Sequence, residues 1–234
     1  ASNEMRHRLR PLVGYEQAQM VKVSTFHSWG LSILRRYALH WGLEDGFSVY
    51  DPRDCMGVLR RVEAACDNDK AYAREVYAQI MQWKSAGVLA GASTGPLADV
   101  YGRYQAVMRA HNAVDFADLI CVPWHLLSGN EEVRSGVQDG IRHLLVDEYQ
   151  DTSPAQFAVT QWALASHRSI FAVGDEDQAI YGWRGADIRN ILDFREAFPG
   201  AVEIRLEANY RSRPEILVAA NRLVAHNNER LGKT

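Results

Sequence analysis

The chain has 234 residues, 47% of them hydrophobic and 24% charged, with a formal net charge of −3. That length suits one large domain or one domain with an insertion, and the composition supports an ordinary globular core. The charge excludes a surface that is basic all over, though not a local basic groove, and no run of about 18 apolar residues exists to make a membrane-spanning helix.

The opening "ASNEMRHRLR" has no apolar stretch of the signal-peptide kind. It also lacks an initiating Met, so the chain is expected to start inside a longer natural sequence. Cys55, Cys66 and Cys121 are odd in number and widely spaced, which gives neither a disulfide framework nor a zinc pattern. They read as small buried thiols in a reducing, cytoplasmic setting.

Residues 21–25, "VKVST", read as a short strand that ends in "FHS". The next segment, "WGLSILRRYALHW", places Leu31, Leu34, Ala38 and Trp41 on one face and Arg35, Arg36 and His40 away from it, the pattern of an amphipathic helix. "DPRD" at 51–54 is a helix start, with Asp51 as cap, Pro52 in the first turn and Asp54 near the positive end of the dipole. Helical periodicity continues, with Val76, Ile80 and Trp83 on one face and Leu97, Tyr101, Tyr104 and Met108 on another. The Gly/Ser/Ala-rich stretch 85–96 reads as a loop between those helices. Residues 45–112 are therefore expected to be a helical block without a strand, inserted between two strand-bearing regions.

"DFADLICVPWHLL" predicts a further helix. "HLLVD" and "SIFAVGD" are short apolar runs ending in acidic residues, as in a parallel sheet covered on both faces. "SPAQ" at 153–156 and "SRPE" at 212–215 both read as capped helix starts with Ser as the cap. "VEIRLE", 202–207, alternates like a strand, and the helix after 213 carries Ile216, Ala220, Leu223 and Val224 on one face. The fold class is α/β with a helical insertion.

Three stretches carry chemistry. Asp147 and Glu148 end "LLVDE", and ligands of open parallel sheets sit at the carboxyl ends of strands. One carboxylate there can hold Mg²⁺, and the other can take a proton from an attacking water. The plainer alternative is a pair of acidic residues capping the next turn. "VGDEDQAIYGWRGAD", 173–187, brings Asp175, Gln178, Tyr181, Trp183 and Arg184 close in sequence. Gln178 can bond a terminal phosphate or the attacking water. Aromatic and cationic groups together form the usual platform for single-stranded nucleic acid, against the alternative that Tyr181 and Trp183 are core. In "LEANYRS", 206–212, Arg211 can reach a phosphate and Tyr210 can stack on a nucleobase, where a surface ion pair is the plainer role for the Arg.

Together these stretches resemble the superfamily 1 DNA helicases of the UvrD/Rep/PcrA group. "LLVDEYQDT" is similar to their motif II, "VGDEDQAIYGWRGAD" to motif III, "LEANYRS" to motif IV, and "TFHS", Thr25 to Ser28, to motif Ib. "DFADL" resembles the segment that returns from their helical insertion, and "ASNEMRHRL" the tail of motif Ia. The resemblance covers essentially the whole chain. It implies a RecA-like parallel sheet, part of a P-loop motor domain, with a helical insertion subdomain. Residues 1–44 and 113–200 would belong to the first motor domain, 45–112 to the insertion, and 201–234 to the start of the second motor domain. It also implies ATP and Mg²⁺ as cofactors, single-stranded DNA and its junctions with duplex as partners, and translocation from 3′ to 5′. Asp147 would hold Mg²⁺ and Glu148 would be the catalytic base. Gln178 and Arg211 would sense the γ-phosphate, and Tyr210 would stack on adenine. Phe26, Tyr181 and Trp183 would meet DNA bases, with His27 and Arg184 as supporting contacts, a structural role for His27 being the alternative.

The family's phosphate loop, G-x-x-x-x-G-K-[ST], is missing from the sequence. The sole "GKT", Gly232-Lys233-Thr234, would need its first Gly where Asn227 stands. Motifs V and VI are missing as well. The expectation is an internal fragment of an ATP-dependent DNA helicase, inactive as an ATPase by itself. The alternative is a non-catalytic single-strand DNA-binding or adaptor module that keeps the platform without the motor. A Mg²⁺-dependent nuclease or phosphatase using Asp147, Glu148 and Asp151 would leave the aromatic stretch unexplained.

Overall fold

The computed structural model describes residues 2–164 and 169–226. In chain order, α1 (Ser2–Val13), α2 (Tyr15–Met20) and α3 (Phe26–Tyr37) lead to strand β1 (Ser48–Tyr50). Helices α4 (Pro52–Val62), α5 (Ala65–Asn68), α6 (Lys70–Ser85) and α7 (Ala98–Ala110) follow, then β2 (Ala113–Asp115), α8 (Asp118–Gly129) and α9 (Glu131–Gln138). Strand β3 (His143–Val146), α10 (Pro154–Ala163), β4 (Ser169–Ala172), two short helices α11 (Arg189–Leu192) and α12 (Phe194–Ala197), and α13 (Pro214–Val224) complete it. Among the described residues the architecture is a mixture of helices with two small parallel sheets, β1 with β2 and β3 with β4. Among the described residues no helix is long and apolar enough to cross a membrane.

The first core is built around α8. This helix buries Leu119, Ile120, Cys121, Val122, Leu126 and Leu127 on several sides, as a helix that is apolar all round must. Ile33, Leu34 and Ala38 of the α3 region and Ala155, Val159 and Ala163 of α10 pack in the same cluster. The expected face of Leu34 and Ala38 is thus buried, with Leu31 and Trp41 half-buried at its edge. Pro123 sits inside α8 and has no N–H to give the Leu119 carbonyl. Gly30 of α3 lies against that carbonyl, and a methyl group at Gly30 would fall 1.7 Å from its oxygen. Two helices pack backbone to backbone where one has lost its internal donor.

The second core lies within 45–112. Cys55, Val58 and Leu59 of α4, Val76 and Ile80 of α6, and Tyr101, Tyr104 and Met108 of α7 form one buried cluster. Asp51 accepts from the amides of Arg53 and Asp54 while Asp54 bonds back to Asp51 N, so the "DPRD" start is a complete capping box. This block does contain a strand. Ser48, Val49 and Tyr50 pair in parallel with Ala113, Val114 and Asp115. Three residues are too few to carry a periodicity, so the pairing is set by the partner strand and not by local pattern.

Other expectations fail in the same way. "VKVST" and "VEIRLE" form no strand, because neither finds a partner among the described residues, and β structure needs one. Ser212 does not cap α13. Arg213 is the N-cap and makes no side-chain cap bond. The apolar face of α13 stays exposed, including Ile216 and Leu223. The β3–β4 pair is not covered on both faces, since Leu145 is 69% and Phe171 59% exposed. The "GKT" segment at 232–234 and Asn227 lie outside the described residues.

Candidate functional site

Strand β3 pairs with β4 in parallel register, Val146 opposite Ala172, so both strands end at the same edge. Val146 is buried, and the next two residues, Asp147 and Glu148, are exposed. Glu148 has φ 52° and ψ 48°, a left-handed conformation that costs a side-chain-bearing residue about 1–2 kcal/mol. It reverses the chain sharply. Tyr149 then turns inward, its amide donating to Val173 O at 2.9 Å and its ring meeting Phe194 edge-on at 5.2 Å. Thr152 is held by Asn190, whose Nδ2 donates to the Thr152 carbonyl and hydroxyl oxygens at 2.9 and 3.1 Å. Ser153 and Gln156 close a capping box that starts α10, as "SPAQ" predicts.

The β4 side is organised by Asp175. Its Oδ1 accepts from the Asp177 amide at 3.1 Å and its Oδ2 from Gln178 Nε2 at 2.8 Å. Between the two strand ends lies an open pocket of about 520 Å³ lined by Glu148, Gln150, Asp151, Asp177, Gln178, Ile180 and Tyr181. Burial, reinforced by the Glu148 charge, holds Asp151 above the ordinary carboxylate range, and its Oδ1 is buried with no hydrogen bond among the described residues. The pocket lining contains carboxylates, amides and a phenol but no Lys or Arg. It offers groups that accept protons and orient water, and among the described residues its lining supplies no positive charge.

Asp147 commits Oδ1 to the Glu148 amide at 3.1 Å. Among the described residues no three His, Cys, Asp or Glu side chains gather to hold a metal. A single exposed carboxylate suits Mg²⁺, which keeps several waters and takes its other ligands from phosphate.

Beyond the pocket the chain forms an exposed aromatic turn. The Arg184 guanidinium lies 4.6 Å from the Trp183 ring centroid and 5.3 Å from that of Tyr181. Trp183 is 76% exposed, so it is not a core residue. Tyr181 belongs both to the pocket wall and to this turn.

The remaining candidates stand elsewhere. Thr25 caps α3 through its side chain. Phe26 is half-buried against the first core, and His27 stacks on Phe116, centroids 3.9 Å apart. Burial holds His27 below the ordinary imidazole range. Tyr210 is 96% exposed. Asn209 Oδ1 accepts from the amides of Arg211 and Ser212, and no side-chain bond of Arg211 reaches Asp147, Glu148 or Gln178 among the described residues. The structure therefore gathers Glu148, Gln178 and Tyr181 in one pocket and leaves Tyr210 and Arg211 apart from it. It also adds Gln150, a buried amide at the pocket floor that sequence reading passed over as one polar residue among several.

Residues 1–199 match the UvrD/REP helicase N-terminal domain, and the chain belongs to that family. It is similar to ATP-dependent DNA helicase Rep of Escherichia coli (strain K12), 39% identical over 236 aligned residues that take in 97% of this chain and 35% of that protein. It is equally similar, at 39%, to ATP-dependent DNA helicase PcrA of Staphylococcus aureus (strain Mu50), over 243 aligned residues covering 100% of this chain and 33% of that protein. The chain spans about a third of the length of these relatives.

Proposed function

We propose that this chain is the water-activating and strand-gripping part of an ATP-dependent DNA helicase, with a RecA-like motor fold. One observation carries the reading: Tyr181 lines the pocket that holds Glu148 and Gln178, and it also packs against Arg184 in the exposed aromatic turn. An open polar pocket and an exposed aromatic surface thus share a side chain. In this reading 1–44 and 113–200 form the first motor domain, 45–112 its helical insertion, and 201–234 the start of a second motor domain.

Glu148 accepts the proton of the attacking water, and Gln178 orients that water or the terminal phosphate. Asp147 would hold Mg²⁺, which when bound neutralises charge on the phosphates. Tyr181 and Trp183 stack on bases of single-stranded DNA, and Arg184 adds charge. Phe26 and His27 extend that surface from α3. Tyr210 and Arg211 meet the nucleotide only when the segment that carries them swings onto the pocket, and the 3′-to-5′ direction is what the family resemblance implies. Duplex junctions meet the insertion.

The test is ATP turnover by the full-length protein that carries this chain. The reading expects turnover that requires Mg²⁺ and rises with single-stranded DNA. Turnover indifferent to DNA would contradict it. The 234-residue chain alone, lacking G-x-x-x-x-G-K-[ST], is expected to show none.

A further inference from the structure

We infer that Gln150 is a positioning residue for the hydrolytic step. Its side-chain amide fixes the Glu148 carboxylate to the backbone of the loop that carries Gln178. The inference rests on the reading of Glu148 as the base.

Gln150 is 1% exposed, the most buried of the residues that line the pocket. Its Oε1 accepts from the backbone amide of Asp175 at 3.1 Å, and its Nε2 donates to Glu148 Oε2 at 2.8 Å. The orientation of the amide is fixed by its partners. A backbone N–H can only donate and an ionised carboxylate only accept, so a flipped amide would lose both bonds. One planar group therefore spans the ends of β3 and β4. Glu148 thus has one carboxylate oxygen, Oε2, held by this amide, and the residue lines the pocket.

The backbone on either side is fixed independently. Tyr149 N bonds Val173 O, and the Thr152 backbone carbonyl accepts from both the Asp187 amide and Asn190 Nδ2. The site for the Gln150 amide is also kept open by Gly174. A methyl group there would come within 2.6 Å of Gln150 Oε1, 2.8 Å of Ile191 Cδ1 and 3.2 Å of Gln150 N. The loop after β4 in turn carries Asp175, which holds Gln178. The base and the water-orienting amide are thereby positioned through a common buried group.

Two substitutions isolate the role in the full-length protein. Gln150→Met keeps the length of the side chain and removes both the acceptor of the Asp175 amide and the donor to Glu148. Gly174→Ala crowds the Gln150 amide, with Ile191 Cδ1 beside it, and leaves the side chains of Gln150 and Glu148 chemically unchanged. Both should lower kcat for DNA-stimulated ATP hydrolysis by about 100-fold, the scale of loss from misplacing a reacting group by about 1 Å. KM for ATP should stay within about 3-fold, because neither substitution removes a group that meets substrate. The double variant should lose no more than the worse single one, since both break the same bond. A purely structural role would predict additive losses with a falling melting temperature and a rising KM.

Glu148→Gln is the control that separates the two claims. If it retains turnover, the base is wrong and the inference falls with it. If it is inactive while Gln150→Met and Gly174→Ala both keep wild-type kcat, the inference alone is overturned. Should Gln150→Met fail to melt cooperatively, Gly174→Ala decides by the same criterion.

Discussion

The ammonium of Lys84, at the end of α6, lies 2.8 Å from the carboxylate of Asp118 at the start of α8, both shut off from solvent. Asp115, which ends β2, bonds the same ammonium and accepts from the Tyr104 hydroxyl at 3.0 Å. Asp115 and Asp118 also accept from each other's amides, at 3.1 and 2.9 Å. Burial alone would discharge Lys84, but the Asp118 and Asp115 carboxylates outweigh it and hold the amine well above its ordinary range. Burial, together with the Asp115 charge, pushes Asp118 above the ordinary carboxylate range. The network joins the helical block to the strand and helix that return from it.

Lys84→Met leaves two buried carboxylates without their cation. Denaturant unfolding at neutral pH should show a loss of about 3–5 kcal/mol, the scale for removing one partner of a buried ion pair. A carboxylate whose folded pKa is raised binds protons more tightly when folded, so the deficit should shrink as pH falls toward 5. Pairing Lys84→Met with Asp118→Asn should recover part of it. A loss under about 1 kcal/mol at every pH would show that the network is not worth what a buried pair usually is.

His27 gives a second pH signature of opposite sign. Burial depresses its folded pKa below 6.5, so the native state binds fewer protons than the unfolded chain. Its contribution is complete above pH 6.5 and is lost as pH falls through the folded value. His27→Phe keeps an aromatic ring over Phe116 and cannot titrate. The stability of that variant relative to wild type should therefore grow between pH 7.5 and pH 5.5, measured by urea melts. A difference that stays constant would place the His27 proton outside the folding equilibrium.

The cysteines test the packing of both cores. Burial pushes the Cys55 thiol up to about 11 and that of Cys121 up to about 12. All three thiols are free and buried. Thiolate is the reactive form, so at pH 8 Cys55 and Cys121 should react with a disulfide reagent at least about 100-fold more slowly in the native chain than after unfolding. Fast modification of either without loss of structure would mean an open core.

Much of this was legible in the sequence because it is local. "DPRD" and "SPAQ" specify capping boxes within four residues, and "HLLVD" and "SIFAVGD" specify the two strands that pair and end at one edge. What was not legible depends on partners distant in sequence. Strand β1 is three residues long and exists because β2 lies beside it. "VKVST" and "VEIRLE" have strand-like patterns and no partner among the described residues. Lys84 looks like an ordinary helix-surface lysine until Asp115 and Asp118 arrive from 31 and 34 residues away. Gln150 reads as a polar turn residue until the Asp175 amide, 25 positions on, meets it.

The aromatic turn makes a prediction about nucleic acid. Trp183→Ala should weaken binding of a single-stranded oligonucleotide by about 5- to 150-fold, the range for one lost base stack. Arg184→Ala should weaken it and also reduce its salt dependence, because a cation near the backbone contributes through counterion release. Fluorescence anisotropy across a salt series reads both. Equal binding by wild type and Trp183→Ala would remove this surface from the strand path.

The most direct test of the account is the single-turnover rate of ATP hydrolysis by the full-length Glu148→Gln protein with single-stranded DNA present. Glutamine keeps the shape of Glu148 and can still bond Gln150, but it cannot take a proton. The account predicts a fall of about 100- to 10,000-fold in the hydrolysis rate, the range for losing a general base, with ATP and DNA affinities close to wild type. A rate within a few-fold of wild type would contradict it.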